Sequence, residues 1–357
     1  VIRTKVRGIY SEVNEIFKGT ATQDLLDKYK PVMKGLMTAR EMASITKERS
    51  RRNGTMELES NEPKFILNED GICIDVQPRQ TGESEQMIEQ LMVTANQAAA
   101  KLAEKEHLPF VYRVHENPKS LKIETLIELV SSLGLDFSGI KKENPSTAEF
   151  AAILDQAVGT PAQKIVSYQI LRTMEKARYA TDPLGHFGLA LADYCHYTSP
   201  IRRYPDTAIH RILTAFVNKK GRNYINEHYA TYAQDSATNS SEAEVKALVA
   251  ERSAEDCYMA EYMTQHIGEQ FDGIISGVTN RGLFVQLTNS VEGFVPIDTF
   301  VDSEFEFDGM MTQVDRLTGD KLTIGMPICI QVVAADVSSG RMSGMLPGLF
   351  ENGGVYC

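Results

Sequence analysis

Two adjacent arginines, Arg202 and Arg203, lie in a segment whose residue types suit the binding of a phosphate group. The segment is Thr198-Ser199-Pro200-Ile201-Arg202-Arg203-Tyr204-Pro205-Asp206. We expect a helix to begin at Pro200, because proline suits the first helical position, and either Thr198 or Ser199 could cap it. Two guanidinium groups at the positive end of a helix would form a phosphate site.

A structural role for the same residues stays open. Tyr197 and Tyr204 offer ring faces and hydrogen-bond donors to a nucleotide, but aromatic residues here could instead belong to a core. The arginines could pair with Asp193 and Asp206 rather than with a ligand. The residue types alone therefore leave a phosphate site and a structural segment about equally favoured.

The bulk composition bounds the class of protein. The chain has 357 residues, of which 42% are hydrophobic and 24% are charged, so we expect two or three domains with cores. No apolar run reaches the length that spans a membrane, and we expect no membrane association. The five cysteines are scattered without Cys-x-x-Cys spacing, which favours a reduced, cytoplasmic compartment and no structural zinc.

The charge is acidic overall but basic in one region. The formal net charge of −11, taken alone, argues against a nucleic-acid-binding protein. Residues 164–222 nevertheless contain ten Lys or Arg against four Asp or Glu. A local basic surface can bind a polyanion, because charges are screened beyond about 8–10 Å at ordinary salt. A solvated helical face is the alternative explanation for these basic residues.

The hydrophobic pattern predicts an α+β fold in two parts. Apolar residues recur at helical spacing over 87–106, 120–133, 146–158, 162–179 and 245–266, and the polar stretch 234–244 is expected to be a loop or a helix start. From residue 268, short alternating strands are separated by turn residues, which is typical of a small barrel. We therefore expect domains over 1–266 and 267–346, followed by a tail over 347–357.

Several motifs resemble those of the ribonuclease II/ribonuclease R family of processive 3′-to-5′ exoribonucleases, and most closely the ribonuclease R branch. They lie at 186–191, 194–206, 88–96 and 112–118, and the resemblance covers nearly the whole chain. It implies that 1–266 is the mostly helical C-terminal part of an RNB catalytic domain. It also implies that 267–346 is an S1 domain, an RNA-binding barrel of the OB type.

The resemblance implies roles for individual residues. Arg202 would be catalytic, binding the scissile phosphate or stabilising its transition-state charge, and Arg203 would bind the neighbouring phosphate or be structural. Tyr10 would line the RNA channel near the 3′ end or be a core residue. Glu89 would contact the last nucleotides, through ribose hydroxyls, or be a surface residue. The other expected RNA contacts at this site are Tyr197, Ser199 and Tyr204.

A few positions depart from the family pattern. Leu58 stands where many members have an aromatic residue that clamps bases, and Pro296 stands where an S1 domain usually has histidine. The usual Phe-Gly-x-Phe is Arg281-Gly-Leu-Phe284 here. We expect Arg281 and Phe284 to bind RNA, because a guanidinium plane and a ring can both stack on bases. Phe284 could instead be barrel core, which is what we expect of Phe294.

The resemblance implies hydrolysis of RNA to nucleoside 5′-monophosphates with the help of Mg²⁺. The family's metal-binding aspartates lie in an acidic motif upstream of the position that matches Val1, and this sequence contains no Asp-x-Asp-Asp cluster. We therefore expect a fragment that lacks the metal ligands and is inactive alone. As part of a larger enzyme it would act on single-stranded or structured RNA, as a monomer. The alternative is a non-catalytic RNA-binding or assembly module.

Overall fold

Helices account for most of the regular structure before residue 265, and strands for most of it afterwards. The structure, a computed structural model, describes residues 3–56, 62–136, 139–160, 162–300, 303–309 and 311–345. The predictions for Val1, Leu58 and the tail 347–357 fall outside these residues. The helices are α1 (Tyr10–Lys18), α2 (Gln23–Tyr29), α3 (Met33–Arg52), α4 (Glu83–Lys105), α5 (Ser120–Ser132), α6 (Thr147–Ala157), α7 (Gln163–Thr173), α8 (Tyr204–Val217) and α9 (Arg222–Thr264).

The strands are short except in the last third of the chain. They are β1 (Pro63–Leu67), β2 (Cys73–Pro78), β3 (Tyr112–Val114), β4 (Arg178–Ala180), β5 (Gln270–Thr279), β6 (Gly282–Leu287), β7 (Glu292–Pro296), β8 (Phe305–Phe307), β9 (Thr312–Asp315), β10 (Lys321–Thr323), β11 (Pro327–Asp336) and β12 (Arg341–Met345).

The chain divides into two compact units that each combine separate stretches of sequence. The first unit comprises Val1–Glu57, Gln80–Gln156 and Ile170–Glu244. The second unit comprises Leu58–Arg79, Ala157–Gln169 and Val245–Cys357.

The core of the first unit is a cluster of buried residues from α4, α8 and the first half of α9. Ala100 and Ala103 of α4 are fully buried in it, together with Ile209 and Ile212 of α8. Cys195, which precedes α8, belongs to the same cluster. The segment that carries the candidate arginines is therefore anchored to this core on its N-terminal side.

Helix α9 is longer than the sequence predicts, since it runs without a break through the polar stretch 234–244. Serine hydroxyls in this stretch donate to the helix's own carbonyls: Ser236 Oγ bonds Tyr232 O at 2.6 Å, and Ser241 Oγ bonds Ala237 O at 2.8 Å. The polar side chains are thereby satisfied inside the helix. The helix already begins at Arg222, so the expectation of a loop or a helix start over 234–244 is wrong.

The second unit contains a closed five-stranded barrel with the strand order β11-β12-β7-β6-β5. The pairs are antiparallel except β12 with β7, which are parallel at Ser343 and Phe294. Leu283 and Val285 alternate into the interior from β6 and are fully buried. The predicted barrel and the α+β class are confirmed. No helix in the described ranges is both long enough and apolar enough for a membrane span.

Candidate nucleic-acid interface

The predicted helix start before Asp206 is wrong by four residues. Helix α8 begins at Tyr204, and Arg203 is its N-cap with extended backbone angles (φ −125°, ψ 120°) and no side-chain cap. The backbone N–H groups of Arg202 and Arg203 both donate to Ser199 O, at 3.2 and 3.0 Å, which closes a turn ahead of the helix. Arg202 therefore projects from a turn rather than from the first turn of a helix.

A buried ion pair holds this turn against the helix. Arg203 Nε donates to Asp206 Oδ2 at 2.9 Å, and its Nη2 donates to Asp206 Oδ1 at 2.8 Å. Asp206 is 0% exposed and also accepts the backbone N–H of Ser199 at 2.7 Å. The carboxylate thus joins the helix start to both ends of the turn, and Arg203 has a structural role through Nε and Nη2.

Arg202 differs from its neighbour, because its side chain is exposed and has no hydrogen bond or ion pair within the described ranges. An exposed guanidinium keeps five N–H donors for a phosphate. The turn is held on both sides of Arg202, by Ser199 and by the Arg203–Asp206 pair. The backbone at Arg202 is therefore held in place, while its guanidinium remains accessible to a ligand.

Asn96 of α4 is a further support that the sequence reasoning missed as a site residue. It is 3% exposed, and its Oδ1 accepts the backbone N–H groups of Tyr197 and Thr198 at 2.9 and 3.2 Å. Its Nδ2 donates to Tyr194 Oη at 3.1 Å, and the Cys195 thiol donates to its backbone carbonyl at 3.1 Å. The signal in the sequence was a polar Asn among the alanines of the predicted helix over 87–106.

A second polar network lies beside this segment, and the sequence reasoning missed its members Arg113, Tyr179 and Glu244. Arg113 Nη1 donates to Glu244 Oε2 at 2.6 Å, and its guanidinium carbon lies 4.7 Å from the centre of the Tyr179 ring. Tyr179 Oη and His196 Nδ1 are 2.9 Å apart. Burial, aided by the charges of Arg203 and Arg113, lowers the pKa of His196 to about 2. The imidazole is therefore neutral at ordinary pH, and it serves as a hydrogen-bonding partner rather than as a cation for RNA.

The aromatic residues predicted around the arginines are partly accessible. The Tyr197 ring stacks on His210 with centroids 4.5 Å apart and an interplanar angle of 16°. Tyr204 is 52% exposed, and its Oη lies 3.2 Å from Tyr232 Oη. Ring faces and hydroxyls are thus available next to Arg202, as a nucleotide site requires.

Tyr10 and Glu89 lie elsewhere in the first unit. Tyr10 opens α1, is half exposed, and lines a cavity of about 900 Å³ together with Arg7 and Ile88. Its exposure rules out the core position that the sequence left open. Glu89 is exposed on α4, where the carboxylate can accept hydrogen bonds from a ligand.

In the barrel, Arg281 lies in the turn between β5 and β6, and Phe284 follows three residues later on β6. Arg281 is exposed in the turn, and Gly282 follows it with φ +151°, where a Cβ would clash with the carbonyl of Val295. Phe284 is 37% exposed and packs on the half-buried Phe294 with ring centroids 5.2 Å apart. Phe284 is thus accessible from solvent, and Phe294 supports it instead of being fully in the core.

The described residues do not fit a magnesium cage. Within the described ranges no group of three or more His, Cys, Asp or Glu side chains could hold a metal ion. The carboxylate nearest in sequence to Arg202 is Asp206, and its oxygens are already occupied by Arg203 and Ser199. We therefore assign no chemical step through a metal to these residues.

Two family models and several known proteins match this chain. The family model described as "RNB domain" matches residues 1–219, and the one described as "S1 RNA binding domain" matches residues 264–345. Ribonuclease R 1 of Lactococcus lactis is 34% identical over 343 residues, which is 96% of this chain and 42% of that protein.

Solved structures of Mycoplasma genitalium RNase R are also similar. The complex with ribose methylated single-stranded RNA has a TM-score of 0.89 at 27% identity, covering 95% of this chain and 53% of that one. The complex with double-stranded RNA has a TM-score of 0.80 at 25% identity, covering 95% and 54%. The chain thus spans about half the length of these relatives. Because the RNB match includes more than half of its residues, the chain belongs to the RNB family, as its ribonuclease R-like motifs predict.

Proposed function

We propose that this chain is an RNA-binding part of a 3′-to-5′ exoribonuclease that hydrolyses RNA to nucleoside 5′-monophosphates. The proposal is supported by membership of the RNB family and by the ribonuclease R identity of the similar proteins. The activity belongs to a protein of the relatives' length, since this chain spans about half of them. We further propose that this protein is a cytoplasmic monomer acting on single-stranded or structured RNA.

The observation that carries the proposal is the contrast between Arg202 and Arg203. Arg203 is bound to the buried Asp206, whereas Arg202 is exposed on the turn that this pair holds in place. The held backbone fixes the point from which Arg202 projects, and its unpaired guanidinium keeps its donors for the negative charge of a phosphate. We assign Arg202 to the scissile phosphate as a catalytic residue.

The remaining residues would hold the strand. Arg203 uses Nε and Nη2 for Asp206, so its Nη1 donors are the part that could bind the neighbouring phosphate. Tyr197, Ser199 and Tyr204 would contact the nucleotides beside it. Tyr10 and Glu89 would contact the nucleotides at the 3′ end. Arg281 and Phe284 would stack on bases of the incoming strand.

Mg²⁺ is part of the proposal through the family and not through this chain's own residues. The described carboxylates offer no cage for it, and the sequence has no Asp-x-Asp-Asp motif, so we propose that the ligands come from elsewhere in a protein of the relatives' length. The residues described here would bind and orient RNA, and the chain alone would then be inactive.

The test uses a protein of the relatives' length and RNA labelled uniformly along its backbone, so that each released nucleotide carries the label. Arg202→Ala should reduce the release of nucleoside 5′-monophosphates by about 10²–10³-fold, the range for removing a donor to a developing charge. The matched control is Lys101→Ala, which removes an exposed cation on α4. Full turnover by Arg202→Ala would refute the role of Arg202.

A non-catalytic RNA-binding or assembly module is the second candidate. It is favoured for this polypeptide alone by the lack of a metal-ligand cluster within the described ranges. The isolated chain would then bind labelled RNA with a steep salt dependence and release no nucleotides in Mg²⁺. Nucleotide release by the isolated chain would eliminate this candidate.

A further inference from the structure

A solvent-facing cleft of about 360 Å³ lies where α8 ends and α9 begins, and Arg202 and its two neighbours in sequence do not line it. Its volume is in the range of small-molecule and nucleotide pockets. It is lined by Thr207, His210, Arg211, Thr214, Ala215, Asn218, Lys220, Tyr224 and Tyr229.

The cleft is positively charged in an acidic protein. Arg211 and Lys220 are exposed and line it, and its lining contains no Asp or Glu. The nearby Arg222 adds less, because its guanidinium lies 3.5 Å from Glu106. With a chain charge of −11, two cations on a carboxylate-free wall form a local site for an anion.

Aromatic side chains hold these cations in place. Arg211 Nη1 donates to Tyr232 Oη at 2.9 Å. Lys220 Nζ lies 5.4 Å from the centre of the Tyr224 ring, and that ring stacks on His228 with centroids 3.9 Å apart. Rings beside cations are the pairing that binds bases and phosphates of single-stranded nucleic acid.

The cleft is linked to the Arg202 turn by a short chain of contacts. Tyr232 Oη lies 2.9 Å from Arg211 Nη1 and 3.2 Å from Tyr204 Oη, and Tyr204 is two residues after Arg202. Tyr204 and Arg211 are seven residues apart on α8, which corresponds to about 10 Å along the helix. Cations and rings therefore continue from the turn to the cleft along one exposed stripe.

We propose that this stripe, the α8 track (Tyr204, Tyr232, Arg211, Tyr224 and Lys220), binds the backbone of single-stranded RNA. The inference rests on the proposed function, in which RNA is the partner. It commits to a strand rather than a free nucleotide, because the track joins the open cleft to the turn that carries Arg202. Each cation would neutralise one phosphate.

The test measures binding of a fluorescein-labelled oligouridylate to the whole chain by anisotropy, from about 50 to 200 mM salt. The variant is Arg211→Gln with Lys220→Gln. Losing two phosphate contacts should reduce the slope of log K against log salt by about 1.4, at about 0.7 per contact on single strands. The matched control is Lys101→Gln with Lys105→Gln, two exposed lysines of α4, which should keep the wild-type slope.

A charge-preserving variant, Arg211→Lys with Lys220→Arg, should also keep the slope, which separates charge from folding. Equal slopes for the cleft variant and the α4 control would overturn the track. Binding of uridine monophosphate that is lost in the cleft variant, with an unchanged RNA slope, would assign the cleft to a free nucleotide and equally overturn it. If wild-type chain binds no RNA, the proposed function fails; if only the slope change is missing, the track alone fails.

Discussion

Arg203 and Asp206 form a two-bond ion pair across the first turn of α8, with N–O distances of 2.9 and 2.8 Å and a carboxylate that is 0% exposed. Asp206 is therefore buried as a charge, and Arg203 is its main compensation. The pair fixes the N-cap of the helix to the turn that presents Arg202. The two neighbouring arginines therefore differ: Arg203 uses Nε and Nη2 for Asp206, whereas the Arg202 side chain is exposed.

Asp206→Asn should destabilise the protein strongly. The amide keeps the size of the side chain but leaves Arg203 partly buried without its counter-charge, which costs about 3–5 kcal/mol. Urea denaturation measures the change in the free energy of unfolding. Asp235→Asn, at an exposed position of α9, should stay within about 0.5 kcal/mol of wild type. A loss below about 1 kcal/mol in Asp206→Asn would mean that the pair does not hold the turn.

Asn96→Leu should loosen the same segment from its other side. The substitution leaves the backbone N–H groups of Tyr197 and Thr198 without an acceptor, at about 1–3 kcal/mol each. Denaturation and hydrogen exchange at these two amides are the measurements. Asn226→Leu on the exposed surface of α9 is the control. Unchanged exchange at both amides would contradict the bracing role of Asn96.

The sequence predicts the barrel and the helical first part well, because their hydrophobic periodicity is strong. It fails at the start of α8, where the proline rule favours Pro200 but the hydrogen bonds of the buried Asp206 carboxylate decide. Ser199 bonds to the side chain of Asp206, so the chain makes a turn first and the helix begins at Tyr204. Local patterns do not encode such a bond, and the separate roles of Arg202 and Arg203 follow from it.

Acidification should destabilise the protein through two half-buried histidines, His186 and His196. Burial lowers the pKa of His196 to about 2 and that of His186 to about 3, whereas an unfolded histidine titrates near 6.5. Below pH 6.5 the unfolded chain binds more protons, so this stability is present above pH 6.5 and is lost as the pH falls. Between pH 6.5 and 5 the loss is about 2 kcal/mol for each histidine.

Denaturation at pH 7 and pH 5 checks the histidine effect. His196→Gln and His186→Gln should each reduce the difference in unfolding free energy between the two pH values by about 2 kcal/mol. The same difference in wild type and in both variants would show that other groups cause the acid sensitivity.

Phe284→Ala should weaken RNA binding by the barrel. The ring is 37% exposed and supported by Phe294, and removing a ring that stacks on a base costs about 1–3 kcal/mol, or roughly 5- to 150-fold in affinity. Anisotropy with labelled RNA and the whole chain measures it. Phe284→Tyr keeps the ring and should bind like wild type. Equal affinity for the alanine and tyrosine variants would remove Phe284 from the interface.

The stretch 234–244 is a second place where the sequence pattern failed to predict the structure. A run rich in Ser, Thr and Asn suggests a loop, yet buried Ala233 and Ala237 and the back-bonded serines keep it helical. The contacts of Asn96, Arg113 and Glu244, by contrast, join residues about 100 or more positions apart, so a single sequence gives only their residue types. The aromatic and arginine motif, by contrast, was visible because its members lie within a few residues.

The thiol of Cys195 sits at the centre of this arrangement, fully buried and bonded to the carbonyl of Asn96. Burial raises its pKa, so an alkylating reagent would find almost no thiolate while the segment stays closed. The rate at which Cys195 is alkylated would therefore measure how often the turn that carries Arg202 opens. The partly exposed Cys257 would be an internal reference in the same sample.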